Sequence, residues 1–261
     1  MAYKRILTIQ DISCVGQCSM TVAMPILSAC GHEVCILPTS LLSTHTGGFG
    51  KPVVFHLDDV VPEIWRHWQK NDITFDAILV GYLGSVRAVE TAMEIADALL
   101  APEGVLIVDP AMADHGKLYS GFDETYAGSI RMLCKKAHII IPNITEAAIL
   151  SGQSYKENLD ENYVSSMLRD LHHKCVVMTG IGYEPEETGV AIWSDGTLTH
   201  YAHKKIGSSY HGTGDIFAAC FTGALLQEKN LKESVQIAAD FTRKCIENTY
   251  RAPCALVWCK V

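Results

Sequence analysis

Short apolar runs alternate along the chain with stretches whose apolar positions recur every three or four residues. Continuous apolar runs are typical of strands covered on both faces, and the recurring spacing is typical of amphipathic helices. The pattern predicts six buried strands, over residues 5–9, 34–37, 76–80, 105–108, 138–141 and 175–178. It predicts helices between them, over residues 19–29, 62–69, 86–100, 124–134, 146–151 and 162–171.

This alternation favours an α/β fold, in which a mainly parallel sheet carries helices on both faces. The pattern changes after residue 178, where the strand-like runs 189–193 and 197–203 flank the turn-forming pair Asp195 and Gly196 and predict a hairpin. Two more helices and an edge strand are expected over 215–227, 231–248 and 255–258. No linker-like stretch interrupts the order, so we expect a single domain over residues 1–261.

Composition narrows the classes of protein that fit. Hydrophobic residues make up 48% and charged residues 19% of the chain, which supplies a large core and excludes a disordered or fibrous protein. The formal net charge of −8 gives no general attraction for nucleic acid or an anionic membrane, so we expect neither partner. No window approaches the roughly 20 uncharged apolar residues of a membrane span, and no secretory signal follows Met1, so we expect a cytoplasmic protein.

The ten cysteines are scattered and form no Cys-x-x-Cys pair. In a protein without an export signal, thiols stay reduced. We therefore expect buried or exposed free thiols rather than disulfides or a metal cluster.

Polar residues follow several of the predicted strands. They are Asp11 after the first strand, Asp109 after Val108, Asn143 after Ile141, and Thr179 with Gly180 after Met178. Ligands of open parallel sheets bind beyond the carboxyl ends of the strands. The coincidence indicates a functional site at that edge of the sheet.

A glycine-rich segment precedes an apolar helix near the C-terminus, at Gly212, Thr213, Gly214 and Asp215. The free N–H groups and the positive dipole of a helix N-terminus suit an anion, and glycines allow its close approach. Locally, Asp215 fits a chemical role or a helix cap equally well. The segment is neither a Walker A motif nor a dinucleotide fingerprint, because the required lysine and glycine spacings are missing.

This segment resembles the anion hole of ribokinase-like small-molecule kinases, and within that superfamily the chain is most similar to pyridoxal (vitamin B6) kinases. Five further segments match in the same order: 6–10 with 15–16, 43–46, 81–85, 109–112 and 142–146. The resemblance implies a three-layer α/β/α sandwich with a mainly parallel central sheet and a small flap. It implies ATP-dependent phosphorylation of the 5′-hydroxymethyl group of pyridoxal, pyridoxine or pyridoxamine by a homodimeric enzyme.

The resemblance also implies roles for the glycine-rich segment. Asp215 would be the general base that takes the proton of the substrate's primary alcohol. The backbone N–H groups of Gly212, Thr213 and Gly214 would hold the transferring phosphoryl group. Phosphoryl transfer depends mainly on alignment and charge neutralisation, which such an arrangement supplies.

On the nucleotide side, the resemblance implies ATP contacts from Asp109, Asn143, Glu146, Thr179 and Gly180. Asp109 and Glu146 would be the Mg²⁺ ligands, and a monovalent cation such as K⁺ could assist. Taken alone, Asn143 and Glu146 fit a helix cap, whereas with Asp109 they form an oxygen-rich patch that suits Mg²⁺. Thr179 stands where some relatives carry Lys, which leaves the nucleotide preference open.

On the substrate side, the resemblance implies contacts from Asp11, Thr46, Gly47 and Tyr82. The family commonly has Ser at the place of Asp11, whose carboxylate would favour a protonated pyridine ring or else cap the following loop. Tyr82 would lie against an aromatic substrate or pack as an ordinary tyrosine. The segment 44–51 has three glycines and no periodicity, which is typical of a mobile flap or of a flexible connection.

Four other functions compete with this interpretation. Hydroxymethylpyrimidine kinases usually have a glycine-rich stretch after the first strand, and 14–20 has one glycine. Sugar kinases of the superfamily often carry a larger early lid than 37–62 allows. A non-catalytic vitamin-binding protein would be expected to lose residues such as Asp215 or Glu146. A nicotinamide dehydrogenase would need a Gly-x-Gly-x-x-Gly fingerprint after the first strand, which this chain lacks.

Overall fold

The computed structural model describes residues 3–207 and 210–251. Its strands, in chain order, are β1 Arg5–Ser13, β2 Glu33–Leu42, β3 Val54–His56, β4 Phe75–Val80, β5 Leu100–Val108, β6 Ala113–Asp114, β7 Lys117–Leu118, β8 Ile139–Ile140, β9 Cys175–Thr179, β10 Glu187–Ser194 and β11 Thr197–Lys204. Its helices are α1 Met20–Ala29, α2 Val61–Lys70, α3 Val86–Leu99, α4 Glu124–Lys136, α5 Ile144–Ser151, α6 Glu161–Asp170, α7 Thr213–Leu226 and α8 Leu231–Arg251.

Nine strands form one sheet in the order β11-β10-β9-β8-β5-β4-β1-β2-β3. The six strands from β9 to β2 run parallel to their neighbours, and β10, β11 and β3 are antiparallel additions at the two edges. This confirms the predicted mainly parallel sheet. The predicted hairpin is also confirmed, because Asp195 and Gly196 both adopt positive φ, as its tight turn requires.

Two hydrophobic clusters cover the two faces of the sheet. Neighbouring residues of a strand point to opposite faces, and accordingly Leu7 and Ile78 belong to one cluster whereas Ile6 and Leu79 belong to the other. Helices α2 to α6 supply the first cluster, and α1, α7 and α8 supply the second. The chain is therefore the predicted three-layer α/β/α sandwich.

The strand ends differ from the sequence-based prediction. β1 continues to Ser13, and a register shift against β2 lies between Gln10 and Ile12, so Asp11 lies inside the strand and not after it. An apolar run does not reveal this extension, because three of the last four residues of β1, Gln10, Asp11 and Ser13, carry polar side chains. The apolar pattern also predicts Leu100 as the end of a helix, whereas α3 ends at Leu99 and Leu100 begins β5.

Three short strands were not predicted. β3 has only three residues, all of them exposed, so it shows no burial pattern. β6 and β7 form a hairpin of two residues per strand, which is too short for any periodicity. The predicted edge strand at 255–258 lies outside the described residues.

No helix within the described ranges is long and apolar enough to cross a membrane. The eight cysteines in that part of the chain are free thiols.

Two glycines allow a test of the sheet packing with a single kind of substitution. A Cβ atom added at Gly189 of β10 would lie 2.0 Å from the carbonyl oxygen of Tyr201 on β11, whereas one added at Gly128 of α4 meets nothing within 4 Å. We expect Gly189→Ala to lower the free energy of unfolding by about 1–3 kcal/mol through overpacking. Gly128→Ala should raise it by about 0.5–1 kcal/mol, because alanine is the better helix former.

Urea unfolding of both variants and the parent measures these shifts. An unchanged or raised free energy of unfolding in Gly189→Ala would contradict the close approach of β10 and β11.

Candidate active site

Three loops meet at the carboxyl edge of the sheet. They are the loop after β1, the loop after β5 and the loop before α7. A Cβ atom added at Gly212 would lie 2.8 Å from the carbonyl oxygen of Gln17, and one added at Gly214 would lie 3.8 Å from Oδ2 of Asp109. The structure thus brings the glycine-rich segment against the first predicted loop and against Asp109.

Among the described residues, no side chain accepts a hydrogen bond from the N–H groups that begin α7. Gly212 is the N-cap residue with a φ of 76°, and no side chain caps the helix. Any side chain at Gly212 would be strained by this φ and would collide with Gln17. The first N–H groups of α7 and the positive end of its dipole are therefore available to an anion.

Asp215 lies in the first turn of α7 and does not cap the helix. Its carboxylate accepts a hydrogen bond from the backbone N–H of Ser19. Burial raises the pKa of Asp215 to about 6, against the opposing effect of this hydrogen bond, and the neighbouring Asp11 raises it further. The group is thus mostly ionised at neutral pH, and its pKa is close to the range that suits a general base.

Asp11 is buried, with 3% of its surface exposed. The hydroxyl of Ser13 donates to Oδ2 of Asp11 at 3.2 Å, and the side chain of Ser19 also hydrogen-bonds the carboxylate. Burial raises the pKa of Asp11, against these hydrogen bonds. Asp11 therefore ties the loop after β1 to its strand, and its charge acts on both Asp215 and Tyr82.

Asn143 and Glu146 form a capping box at the start of α5. Asn143 Oδ1 accepts the N–H of Glu146 at 3.0 Å, and Glu146 Oε2 accepts the N–H of Asn143 at 2.9 Å. Glu146 Oε1 also accepts the N–H groups of Met112 at 2.9 Å and Ala113 at 3.4 Å, while Asn143 Nδ2 donates to the carbonyl of Ala113 at 2.8 Å. The cap that the spacing allowed is the arrangement observed, and it fastens the β6–β7 hairpin to α5.

Asp109 is the carboxylate that faces the glycine-rich loop. Its Oδ1 accepts the N–H of Ala111 at 3.1 Å, and its Oδ2 is the atom next to Gly214. Burial raises the pKa of Asp109 well above its usual value, and the charges of Glu146 and Asp215 raise it further. Such a group of carboxylates favours a cation among them.

The donor set at Asp109 fits Mg²⁺ only if other ligands take part. Within the described residues, no three His, Cys, Asp or Glu side chains are grouped to hold a metal ion. Mg²⁺ usually keeps several waters and binds one or two carboxylates together with substrate phosphates. Asp109 suits that mode, whereas the oxygens of Glu146 already accept three backbone N–H groups.

The predicted aromatic contact, Tyr82, packs against protein. Its ring lies 5.4 Å from that of Phe122, which in turn stacks on Tyr126 at 3.8 Å. Burial raises the pKa of Tyr82 to about 12, and Asp11 contributes. Tyr82 thus packs against the ring of Phe122 and is close enough to Asp11 to feel its charge.

The flap, residues 43–51, has no regular secondary structure. Its base is closed by hydrogen bonds between Ser43 and Val53, in both directions at 2.9 Å. The predicted contacts Thr46 and Gly47 lie in this flap, where Thr46 is exposed and the N–H of Gly47 donates to Nδ1 of His45 at 3.0 Å.

Thr179 and Gly180 lie at the end of the parallel sheet. Thr179 is the last residue of β9, and its N–H donates to the carbonyl of Pro142 at 3.0 Å. Gly180 follows with a φ of 77°. They are therefore held beside Asn143, which bridges to Thr179.

Sequence reasoning assigned no role to Ser13, Ser19 or His211. Ser19 joins Asp11 to Asp215 from a backbone with a φ of 47°, a conformation rare for a residue with a side chain. No local pattern signals that geometry. For His211, the sequence feature that could have indicated a role is its position directly before Gly212.

The sequence profile of the phosphomethylpyrimidine kinase family matches residues 36–254. A hydroxymethylpyrimidine/phosphomethylpyrimidine kinase of Bacillus subtilis is 28% identical over 181 residues, which cover 68% of this chain and 66% of that relative. The match therefore spans slightly less than two thirds of the relative's length.

Two solved structures match nearly the whole chain. Pyridoxal kinase from Lactobacillus plantarum is 32% identical, with a TM-score of 0.89 over 95% of this chain and 90% of that one. A Bacteroides thetaiotaomicron protein, provisionally named a phosphomethylpyrimidine kinase and crystallised with pyridoxal, is 31% identical, with a TM-score of 0.92 over 99% of this chain and 93% of that one. The chain therefore belongs to the phosphomethylpyrimidine kinase family of the ribokinase-like superfamily, whose members are phosphotransferases that act on an alcohol group.

Proposed function

We propose that this protein transfers the γ-phosphoryl group of ATP to the 5′-hydroxymethyl group of a vitamin B6 form: pyridoxal, pyridoxine or pyridoxamine. The observation that carries the proposal is the placement of Asp215 in the first turn of α7, beside N–H groups that no side chain caps. The likeness to the Lactobacillus plantarum pyridoxal kinase supports the substrate class. The Bacteroides thetaiotaomicron relative supports it too, since it was crystallised with pyridoxal.

In this mechanism Asp215 takes the proton of the substrate hydroxyl as its oxygen bonds to the γ-phosphorus, while the bond from the γ-phosphorus to the bridging β-phosphate oxygen breaks and ADP leaves. The backbone N–H groups of Gly212, Thr213 and Gly214 hold the oxygens of the transferring group. The hydrogen bond from Ser19 orients the base. Because the donors belong to a fixed helix end, they need no rearrangement when charge develops.

Asp109 is the carboxylate that would hold Mg²⁺. Mg²⁺ there would neutralise charge on the phosphates during transfer. Glu146 would act mainly by holding Met112 and Ala113, and so the loop after Asp109, in place. Asn143, Thr179 and Gly180 would line the nucleotide side of the site.

We propose that the substrate ring lies beside Tyr82 and Asp11, under Thr46 and Gly47 of the flap. The two hydroxyls that donate to Asp11 leave room for a further hydrogen bond, since a carboxylate offers about four acceptor positions.

We also propose that the chain is one domain over residues 1–261 and acts in the cytoplasm as a homodimer.

The second candidate is a hydroxymethylpyrimidine kinase. The family profile and the Bacillus subtilis relative favour it, and its substrate is another small aromatic alcohol. The same base and the same anion-binding loop would serve that reaction. The two candidates differ only in the ring that the pocket accepts.

Side-by-side assays of the purified protein decide between them. Pyridoxal, pyridoxine, pyridoxamine and hydroxymethylpyrimidine are each incubated with ATP and Mg²⁺, and the phosphorylated product is measured. We expect kcat/KM to be highest for one of the vitamin B6 forms. A higher kcat/KM for hydroxymethylpyrimidine would establish the second candidate instead.

The proposed role of Asp215 as the general base predicts how kcat/KM depends on pH. Because Asp215 must be ionised and burial raises its pKa to about 6, kcat/KM should rise with pH through about 6 and level off above it. Asp215→Asn should lower turnover by on the order of 10²–10⁴ and abolish that rise. Asp97→Asn, the same change at an exposed position of α3, serves as the control and should behave like the parent. Near-normal turnover of Asp215→Asn would exclude Asp215 as the base.

Substitutions at Asp109 and Glu146 distinguish a residue that binds the metal from a residue that stabilises the surrounding loop. Asp109→Asn should raise the Mg²⁺ concentration needed for half-maximal activity with little change in stability. Glu146→Gln replaces one of the two acceptor oxygens by an NH₂ group, which leaves at least one backbone N–H without its acceptor and should lower the free energy of unfolding by about 1–3 kcal/mol. Titrations with Mg²⁺ and urea unfolding measure both effects, and excess EDTA should abolish activity of the parent. An unchanged Mg²⁺ requirement in Asp109→Asn would remove Asp109 from the metal site.

A further inference from the structure

Two histidine rings join the flap to the loop before α7. The rings of His45, in the flap, and His211, next to Gly212, have centroids 4.3 Å apart and planes inclined by 23°. This is a stacked pair between segments that are far apart in sequence. The stack directly joins the flap to the loop that presents the anion-binding N–H groups.

His45 is held in position for this contact by its own neighbours. Its N–H donates to the carbonyl of Val15 at 2.8 Å, and its Nδ1 accepts the N–H of Gly47 at 3.0 Å. A Cβ atom added at Gly16 would lie 2.8 Å from Cβ of His45. A residue with a side chain at position 16 would therefore displace His45 from its observed position. The flap therefore rests on the loop after β1 and presents the ring of His45 to His211.

The uncharged ring of His45 suits this contact. A ring nitrogen that accepts the N–H of Gly47 carries no proton, and burial together with the neighbouring His211 lowers the pKa of His45. Two cationic rings 4.3 Å apart would repel each other. The stack is therefore an aromatic contact rather than an ionic one.

We propose that the His45–His211 stack is a clasp that holds the flap, residues 43–51, closed over the anion-binding loop, with His211 as a positioning residue. The role in catalysis rests on the proposed function. A closed flap excludes water, so the clasp would direct the phosphoryl group to the substrate hydroxyl instead of to water. Opening the clasp would then uncouple ATP hydrolysis from phosphorylation of the substrate.

The first experiment needs no substrate. Hydrogen exchange of the flap amides is followed by mass spectrometry in the parent and in His211→Ala, His211→Leu and His211→Phe. An aromatic pair contributes about 0.5–1.5 kcal/mol, so the flap peptide should exchange about twofold to twelvefold faster in the Ala and Leu variants. His211→Phe keeps an aromatic partner and should exchange like the parent. His67→Ala, at an exposed position of α2, is the control for loss of a histidine.

Flap exchange at the parent rate in both the Ala and Leu variants would overturn the proposal of a clasp. So would exchange in the Phe variant that is as fast as in the Ala and Leu variants. The Leu variant keeps the bulk of the side chain, and urea unfolding of each variant separates opening of the flap from general loss of structure. Since exchange is measured on the free protein, its outcome stands even if no vitamin B6 form is phosphorylated.

The second experiment tests the consequence for the reaction. The ratio of ADP released to pyridoxal phosphorylated should be close to one in the parent, rise in His211→Ala and return in His211→Phe. A ratio unchanged in His211→Ala, despite faster exchange, would overturn the catalytic role of the clasp. A parent that phosphorylates no vitamin B6 form would instead contradict the proposed function.

Discussion

Four carboxyl groups share one poorly solvated edge of the sheet, and burial raises the pKa of each: Asp11, Asp109, Glu146 and Asp215. Like charges so placed destabilise one another unless donors or cations compensate them. The chain supplies backbone N–H groups for this purpose, three to Glu146 and one each to Asp109 and Asp215. The loops of the site are held in positions from which their backbone N–H groups donate to these carboxylates.

The parallel order of the strands makes the arrangement possible. β1, β5 and β8 end on the same side, so Asp11, Asp109 and the cap of α5 converge there without any long excursion of the chain. α7 then places its positive end against them. Helix-end N–H groups that suit an anion thus lie next to carboxylates that suit a cation, and the proposed phosphoryl transfer would use both.

The sequence predicts the layers of this protein well, because burial on both faces of a parallel strand leaves a continuous apolar run. It fails where the strand turns polar, as at Asp11 in β1, and where nothing is buried, as in β3. The spacing of Asn143 and Glu146 does contain the capping box. The Ser19 bridge and the stack of His45 on His211 depend on contacts between distant segments, and no local pattern encodes these contacts.

Proton release on nucleotide binding tests this electrostatic account most directly. If a cation binds among carboxyl groups whose pKa values burial has raised, it lowers those pKa values and protons leave the protein. Calorimetric titration with Mg²⁺ and a non-hydrolysable ATP analogue near pH 6, in buffers of different ionisation enthalpy, counts the protons. The account predicts net release that shrinks in Asp109→Asn and at higher pH. Binding with no proton release, or with release unchanged in that variant, would contradict it.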